Sequence, residues 1–160
     1  MKNNSVIKNI LKGNHALSTT DILEYCKHNS IPLNNCISKD NLPMKPLKNG
    51  DCYVLNLDTP FNAGTHWVAL CCNKNQILFY DPYGLPPPER VLDVMFMNKK
   101  TKYLNEEQNQ LEDTIICGHY CLSLLKSVYR DGLSFQKYMD KLYDEPNGNR
   151  NRKIVLLNLK

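Results

Sequence analysis

The sequence contains no long hydrophobic run and no regular cysteine framework, and each absence excludes a class of protein. No apolar stretch approaches the roughly 20 residues of a membrane-spanning helix. The start of the chain, Met1-Lys2-Asn3-Asn4, lacks the apolar core of a signal peptide. The seven cysteines are an odd number, and their spacing fits no disulfide framework. We therefore expect free thiols in a reducing compartment and no contact with a membrane.

The composition also lacks a strong bias in charge. The net charge is +4, and charged residues make up 22% of the chain, which permits contact with nucleic acid but does not argue for it. With 160 residues, 42% of them hydrophobic, the chain can build one hydrophobic core. We expect a single domain over residues 1–160, present as a monomer, with no cofactor and no metal.

Strand-type and helix-type segments are both present, but they do not alternate in the βαβ pattern of a parallel sheet. Three runs have strand character and cover residues 52–57, 66–72 and 76–81. The polar turn at residues 73–75 predicts that the last two form a hairpin. Four helical segments are expected to begin near Thr20 (as N-cap), Val91, Cys117 and Ser134. This combination predicts an α+β fold with a central mixed sheet flanked by helices.

The two ends of the chain have weaker patterns. Residues 1–17 show slight amphipathic character and are expected to form an N-terminal arm, either frayed or a short helix. Residues 146–153 are polar and predict a flexible linker. The apolar residues 154–157 that follow are expected to dock on the domain.

Cys117 stands where a polar loop becomes an apolar helical pattern. The unpaired backbone N–H groups and the dipole of a helix start favour a thiolate over a thiol. Gly118 beside it allows another chain to approach closely. Cys117 is therefore either a nucleophile or a small apolar residue packed at a helix start.

A thiolate enzyme needs a base, and His66 is the best placed of the four histidines. It stands where a polar loop enters an apolar strand, whereas His119 is two residues beyond Cys117 and would not face it on a helix. Asp81 ends the next predicted strand, so a hairpin folded at its midpoint returns Asp81 to the side of His66. The alternatives are a strand-end histidine bonded to backbone and a turn-forming aspartate before Pro82.

Gln110 lies seven residues before Cys117 in a polar loop. Its side-chain amide could donate a hydrogen bond to an oxyanion, together with the backbone N–H of Cys117. The alternative is an ordinary glutamine in a polar loop.

Taken together, these motifs resemble the adenovirus-type maturation cysteine proteases, the adenain family. The resemblance rests on Gly64-Thr65-His66-Trp67-Val68, on Tyr80-Asp81-Pro82-Tyr83-Gly84, and on Gln110 followed by Cys117-Gly118. It covers roughly residues 19–131. Within this family, the sequence is most similar to the small members from virophages and related mobile DNA elements.

The resemblance implies a papain-like site in permuted chain order. It implies that Cys117 is the nucleophile, His66 the general base and acid, and Asp81 the residue that orients His66. Gln110 would form the oxyanion hole, and Trp67 and Gly118 would border the substrate. The expected reaction is endopeptidase cleavage of viral capsid or structural precursor proteins at Gly-containing sites. It would take place in the host cytoplasm or nucleus and inside the virion.

The sequence departs from this family at several points. The stretch 91–108 has no cysteine, which argues against a covalently attached activating peptide. Weak contact with DNA is the function that the family suggests for six basic residues, and solvated surface is the alternative. They are Lys99, Lys100, Lys102, Arg150, Arg152 and Lys153.

Two other functions remain open at this point. One is a protease that removes ubiquitin-like modifiers with the same site. The other is a non-enzymatic metal module, although no C-x-x-C pair is present and the spacing fits no zinc pattern. Its ligands would come from Cys71, Cys72, Cys117, His119 and Cys121.

Overall fold

The computed structural model describes residues 2–58, 66–111, 114–144 and 149–160. Residues 146–148 of the predicted linker and the Gly64-Thr65 part of the predicted motif lie outside the described residues. Six α-helices are described: α1 (Lys2–Lys12), α2 (Thr19–His28), α3 (Glu89–Met95), α4 (Cys117–Tyr129), α5 (Phe135–Met139) and α6 (Arg150–Asn158). Five strands are described: β1 (Asn35–Ser38), β2 (Cys52–Asn56), β3 (Trp67–Asn73), β4 (Gln76–Tyr80) and β5 (Thr101–Leu104).

The five strands form one mixed sheet in the order β1-β2-β3-β4-β5. The central strand β3 is antiparallel to both β2 and β4, and each edge strand runs parallel to its neighbour. The connection from β4 to β5 contains α3, as expected for a parallel pair that needs a crossover. The predicted α+β fold with a central mixed sheet flanked by helices is confirmed.

The predicted hairpin is present, and its turn fixes the register of β3 and β4. Lys74 and Asn75 have φ angles of 51° and 60°, the left-handed geometry of a two-residue hairpin turn whose twist matches that of the strands. Asn73 consequently faces Gln76, and Ala69 faces Tyr80. This register brings the start of β3 and the end of β4 to the same edge of the sheet.

Alternation along β3 divides the core between the two faces of the sheet. Trp67, Ala69 and Cys71 face the larger core, which packs under α1, α2, α4, α5 and α6. Val68 and Leu70 face a smaller core that includes Val91 and Val94 of α3. The helix α4 is buried along most of its length, which explains why its sequence is apolar nearly all round.

Several helix boundaries differ from the predicted ones. The N-cap of α2 is Ser18 and not Thr20, because Ser18 and Asp21 exchange hydrogen bonds in a capping box. The helix after Ser134, which the sequence predicts to run through Leu142, is capped by Ser134 but ends at Met139. No helix in the described ranges is long and apolar enough to cross a membrane.

The two chain ends are more ordered than their patterns indicate. Residues 2–12 form α1, and Ile10 and Leu17 are fully buried, so the predicted N-terminal arm is part of the core. Residues 150–153, assigned from sequence to a flexible linker, form the first turn of α6 instead. Asn151 is buried in that turn and Val155 packs in the larger core. The polar side chain of Asn151 is buried because it makes hydrogen bonds to Asn109 and Tyr143.

Candidate active site

His66 and Asp81 meet at the edge of the sheet where β3 begins and β4 ends. Continuing the hairpin register by one residue places Asp81 opposite Val68, diagonally across from His66 and on the same face of the sheet. His66 Nε2 donates to Asp81 Oδ1 over 2.9 Å. The Asp81 side chain is completely buried, and the His66 side chain is 17% exposed. Asp81 is therefore in position to fix the orientation of the His66 ring.

Cys117 is the first residue of α4, on the helix that packs against β3. Its Sγ accepts a hydrogen bond of 3.4 Å from the backbone N–H of Trp67, the residue after His66. One turn later, the thiol of Cys121 donates to the carbonyl of Trp67 over 3.4 Å. The start of β3 is thus fastened to α4 by two cysteines, and this contact brings the thiol of Cys117 beside the base of the candidate site.

The electrostatics of His66 favour its charged form. Burial lowers the pKa of His66, but the neighbouring Asp81 carboxylate and Cys117 thiol outweigh burial and raise that pKa to about 9. Nδ1 of the ring is buried and has no hydrogen-bond partner in the described parts of the chain. An imidazolium at neutral pH is the partner that a cysteine thiolate requires.

Gln110 is fully buried, and its backbone is hydrogen-bonded to the turn that follows Asp81. Its backbone N–H donates to the carbonyl of Pro82, the residue after Asp81, over 3.0 Å. Its side-chain Nε2 donates to Thr114 Oγ over 2.9 Å and to the Thr114 carbonyl over 3.2 Å. Both amide hydrogens are therefore engaged by Thr114, and donation to a substrate oxygen requires the exchange of one of these bonds.

Trp67 is buried in the core, and its expected place beside the substrate stays a prediction. Its side chain is 2% exposed, and its indole N–H donates to the carbonyl of Leu17 over 2.9 Å. The indole also lines a small cavity of about 180 Å³ beside Thr19, Ser38 and Asn56. Trp67 contributes to the site through its backbone N–H, which contacts Cys117.

Gly118 packs closely against other parts of this chain, and its expected place in substrate binding stays a prediction. A Cβ added there would lie 3.1 Å from two side-chain atoms of Leu17 and 3.2 Å from Trp67 Cδ1. The chain that approaches Gly118 closely is thus the segment between α1 and α2 of this same protein. Glycine allows the first turn of α4 to sit against that segment.

Two residues at the site were not identified from sequence. Tyr83 stacks on the ring of His66 and donates its backbone N–H to Asp81 Oδ1 over 2.8 Å. Thr114 holds the amide of Gln110, and its carbonyl also accepts from the hydroxyl of Tyr83 over 3.2 Å. The Asp-Pro-Tyr-Gly turn signalled Tyr83 as part of a motif, but nothing local to Thr114 indicates its contacts.

The arrangement of the other histidines and cysteines does not support a metal module. Cys71 and Cys72 are adjacent in β3 and face opposite cores. His119 Nε2 donates to the carbonyl of Ile10 over 2.9 Å in the interior. Within the described ranges, no group of three or more histidine, cysteine or acidic residues is arranged to hold a metal ion.

Comparison with known proteins yields similarity in solved structures only. No family model matches this chain, and no curated protein matches it. The chain is similar to the crystal structure of the ASFV pS273R protease, with 20% identity, a TM-score of 0.49, and coverage of 68% of this chain and 41% of that one. A selenomethionine form of the same protease gives 19% identity, a TM-score of 0.46, and coverage of 68% and 42%. This chain thus spans about two fifths of the protease that it resembles.

Proposed function

We propose that this chain is a cysteine endopeptidase with Cys117 as nucleophile, His66 as general base and acid, and Asp81 as the residue that orients His66. The observation that carries the proposal is the hydrogen bond of 2.9 Å from His66 to the fully buried Asp81. This pair lies beside Cys117, which begins a helix. His66 and Asp81 are in direct contact, and Cys117 accepts a hydrogen bond from the backbone N–H of Trp67, the residue after His66. Thiol catalysis requires residues of these three types.

The reaction follows from this geometry. His66 holds the proton of the Cys117 thiol, and the thiolate attacks the carbonyl carbon of the scissile peptide bond. The tetrahedral oxyanion that forms is stabilised by the Cys117 backbone N–H and by one amide hydrogen of Gln110 released from Thr114. The C–N bond breaks as His66 gives its proton to the leaving amine. Water, deprotonated by His66, then hydrolyses the thioester and restores the thiol.

The basic test compares peptide cleavage by wild type with that by Cys117→Ala and His66→Ala. Cys72→Ala is the matched control, because Cys72 is also buried but faces the core on the opposite side of the sheet. We expect both site variants to be inactive while folded and the control to be active. Cleavage by Cys117→Ala at the wild-type rate would rule out this nucleophile.

We further propose that the substrates are viral capsid or structural precursors cut at Gly-containing sites, in the host cytoplasm or nucleus and in the virion. The support is the motif resemblance to adenovirus-type proteases. The expected preference for Gly rests on this resemblance alone. A peptide series that varies only the flanking residues tests it. Equal kcat/KM for Gly, Ala and Leu would contradict the preference.

The same site would also serve a protease of ubiquitin-like modifiers, so the substrate assay includes such a conjugate. We expect the precursor peptide to be cleaved with the higher kcat/KM. The opposite ranking would assign the chain to the deconjugating enzymes.

Weak contact with DNA is the remaining part of the proposal. Lys100 and Lys102 donate to backbone carbonyls, and Arg152 donates to the carbonyl of Gly13, so part of the basic set already has partners within the chain. We propose that any DNA contact involves Lys99 and Lys153, which are adjacent to these groups in sequence. Binding of a labelled duplex should weaken in Lys99→Ala and Lys153→Ala and with added salt. Unchanged DNA binding in both variants would mean that other residues contact the DNA.

A further inference from the structure

Asn105 follows the edge strand β5, and its side chain lies against the backbone of Asp81. The backbone N–H of Asp81 donates to Asn105 Oδ1 over 3.0 Å, and Asn105 Nδ2 donates to the Asp81 carbonyl over 2.5 Å. Asn105 is buried, with 5% exposure. One amide therefore satisfies both polar backbone groups of the proposed orienting residue.

The two bonds continue the sheet beyond the end of its backbone ladder. The parallel pairing of β4 with β5 ends at Phe79 and Leu104. A primary amide carries a donor and an acceptor like a peptide group, so the Asn105 side chain supplies to Asp81 what another strand residue would supply. Asp81 is consequently held like a residue within the sheet although β4 has ended.

The carboxylate of Asp81 depends on this backbone placement. Only Oδ1 has described donors, namely His66 Nε2 and the backbone N–H of Tyr83. Oδ2 is buried without a partner in the described parts of the chain. A shift of the Asp81 backbone would therefore move the carboxylate away from His66, with no second set of bonds to hold it.

Asn105 also connects the turn after Asp81 to the loop that contains Asn105 itself. Its Nδ2 donates to the carbonyl of Glu107 over 3.2 Å. Gly84 packs on the same carbonyl, because a Cβ added there would lie 2.7 Å from it. Gly84 has a φ of 73°, so the turn needs glycine for both its conformation and this close approach. The loop and the turn are thus packed together beside Asp81.

We propose that Asn105 is a positioning residue of the site, one that fixes the backbone of Asp81 so that its carboxylate keeps His66 oriented. This inference rests on the proposed endopeptidase function. Asn105 does not touch the reacting atoms; it acts through Asp81.

The test uses Asn105→Leu, which has a similar shape and can form neither bond, and Asn105→Ser, which keeps a smaller polar group. We expect Asn105→Leu to lower kcat by about 10- to 100-fold with KM within about twofold, because small displacements of a catalytic group reduce turnover more than binding. The basic limb of the kcat/KM profile should move to lower pH, since His66 loses part of its carboxylate contact. Asn98→Leu is the matched control, because Asn98 also donates to a backbone carbonyl, that of Leu47.

NMR titration of His66 in wild type and Asn105→Ser supplies a readout that does not depend on activity. We expect a lower His66 pKa in Asn105→Ser and an unchanged one in Asn98→Leu. If wild type cleaves no peptide, the endopeptidase proposal fails, while the titration still decides whether Asn105 holds Asp81 against His66. A wild-type titration curve in Asn105→Ser, or an unaltered kcat in folded Asn105→Leu, would overturn the inference.

Discussion

The phenol ring of Tyr83 lies flat against the imidazole of His66, with ring centroids 4.8 Å apart and planes inclined by 22°. The same residue donates its backbone N–H to Asp81 and its hydroxyl to the carbonyl of Thr114. Tyr83 is thus in contact with both members of the His66–Asp81 pair and with the residue that holds Gln110. An aromatic face against an imidazolium stabilises the charged form of the ring.

Replacement of Tyr83 should change the pH at which activity is lost. The pKa of His66 is raised to about 9, and the imidazolium is the active partner of the thiolate, so activity should fall as the pH rises through about 9. Tyr83→Leu removes the aromatic face, and we expect the basic limb of the kcat/KM profile to move to lower pH. Tyr83→Phe keeps the face and should keep the limb in place. Identical pH profiles for Tyr83→Leu and wild type would show that the stacked tyrosine ring does not affect the pKa of His66.

Cys117 should react first among the seven cysteines with a thiol reagent such as iodoacetamide. Burial is the main reason why the pKa of Cys26, Cys36 and Cys71 is raised to about 12, which suppresses their thiolates. Cys117 instead lies at the start of α4, where its Sγ accepts a hydrogen bond from the backbone N–H of Trp67. Mass spectrometry after brief labelling near neutral pH measures the order. His66→Ala should slow labelling of Cys117, and equal labelling of all seven cysteines in wild type would count against a thiolate at this position.

Much of this arrangement is readable from the sequence because it depends on local rules. The alternation of β3, the polar turn at 73–75 and the return of β4 fix a hairpin, and the hairpin alone places Asp81 near His66. Likewise, the change from polar to apolar pattern locates the start of α4 at Cys117. The capping box of Ser18 and Asp21 was also present in the sequence, and Thr20 was the wrong choice of N-cap.

The other contacts around the site form between residues that are far apart in the sequence. Asn105 reaches Asp81 across 24 residues, and Asn151 reaches the Asn109 carbonyl across 42. An isolated asparagine has the same local signature whether it is solvated or buried in such a bond. For this reason the sequence predicts a linker over residues 146–153, whereas α6 begins at Arg150. The hydrogen bond from the Trp67 indole to Leu17 likewise has no sequence pattern.

Gly118→Ala should destabilise the fold without a specific effect on substrate binding. The added methyl would lie 3.1 Å from the side chain of Leu17, and overpacking of this kind costs about 1–3 kcal/mol, partly offset by the better helix propensity of alanine. Leu17→Ala makes room, so the double variant should lose less stability than the sum of the two single variants. Urea unfolding measures these changes. A raised KM with unchanged stability would instead support the original assignment of Gly118 to substrate binding.

Gln110→Ala should lower kcat far more than it changes KM, because an oxyanion donor acts mainly in the transition state. The loss of one such donor reduces kcat by about 10²–10³-fold. Gln136→Ala is a suitable control, since Gln136 donates only to Asp140 on the surface among its described contacts. An unaltered kcat in Gln110→Ala would leave Gln110 as a structural residue that joins Pro82 to Thr114.

His119 should make the fold sensitive to acid through its contact with the N-terminal helix. Its Nε2 donates to the carbonyl of Ile10, and burial lowers its pKa to about 4, whereas an unfolded histidine has a pKa near 6.5. Between these values the unfolded chain binds the extra proton, so the free energy of unfolding should fall as the pH drops from about 6.5 to 4. His15, Asp21 and Arg152 also influence this site and stay unchanged in the test.

Comparison of His119→Gln with wild type isolates that contribution, since an amide can donate to Ile10 but does not titrate in this range. Trp67 is the single tryptophan and lies in the core, so its fluorescence reports urea unfolding at each pH. We expect wild type to lose up to about 3 kcal/mol more than His119→Gln across the window. His28→Gln, at an exposed histidine, should follow wild type. Parallel stability curves for wild type and His119→Gln would mean that His119 is protonated as easily in the fold as in the unfolded chain.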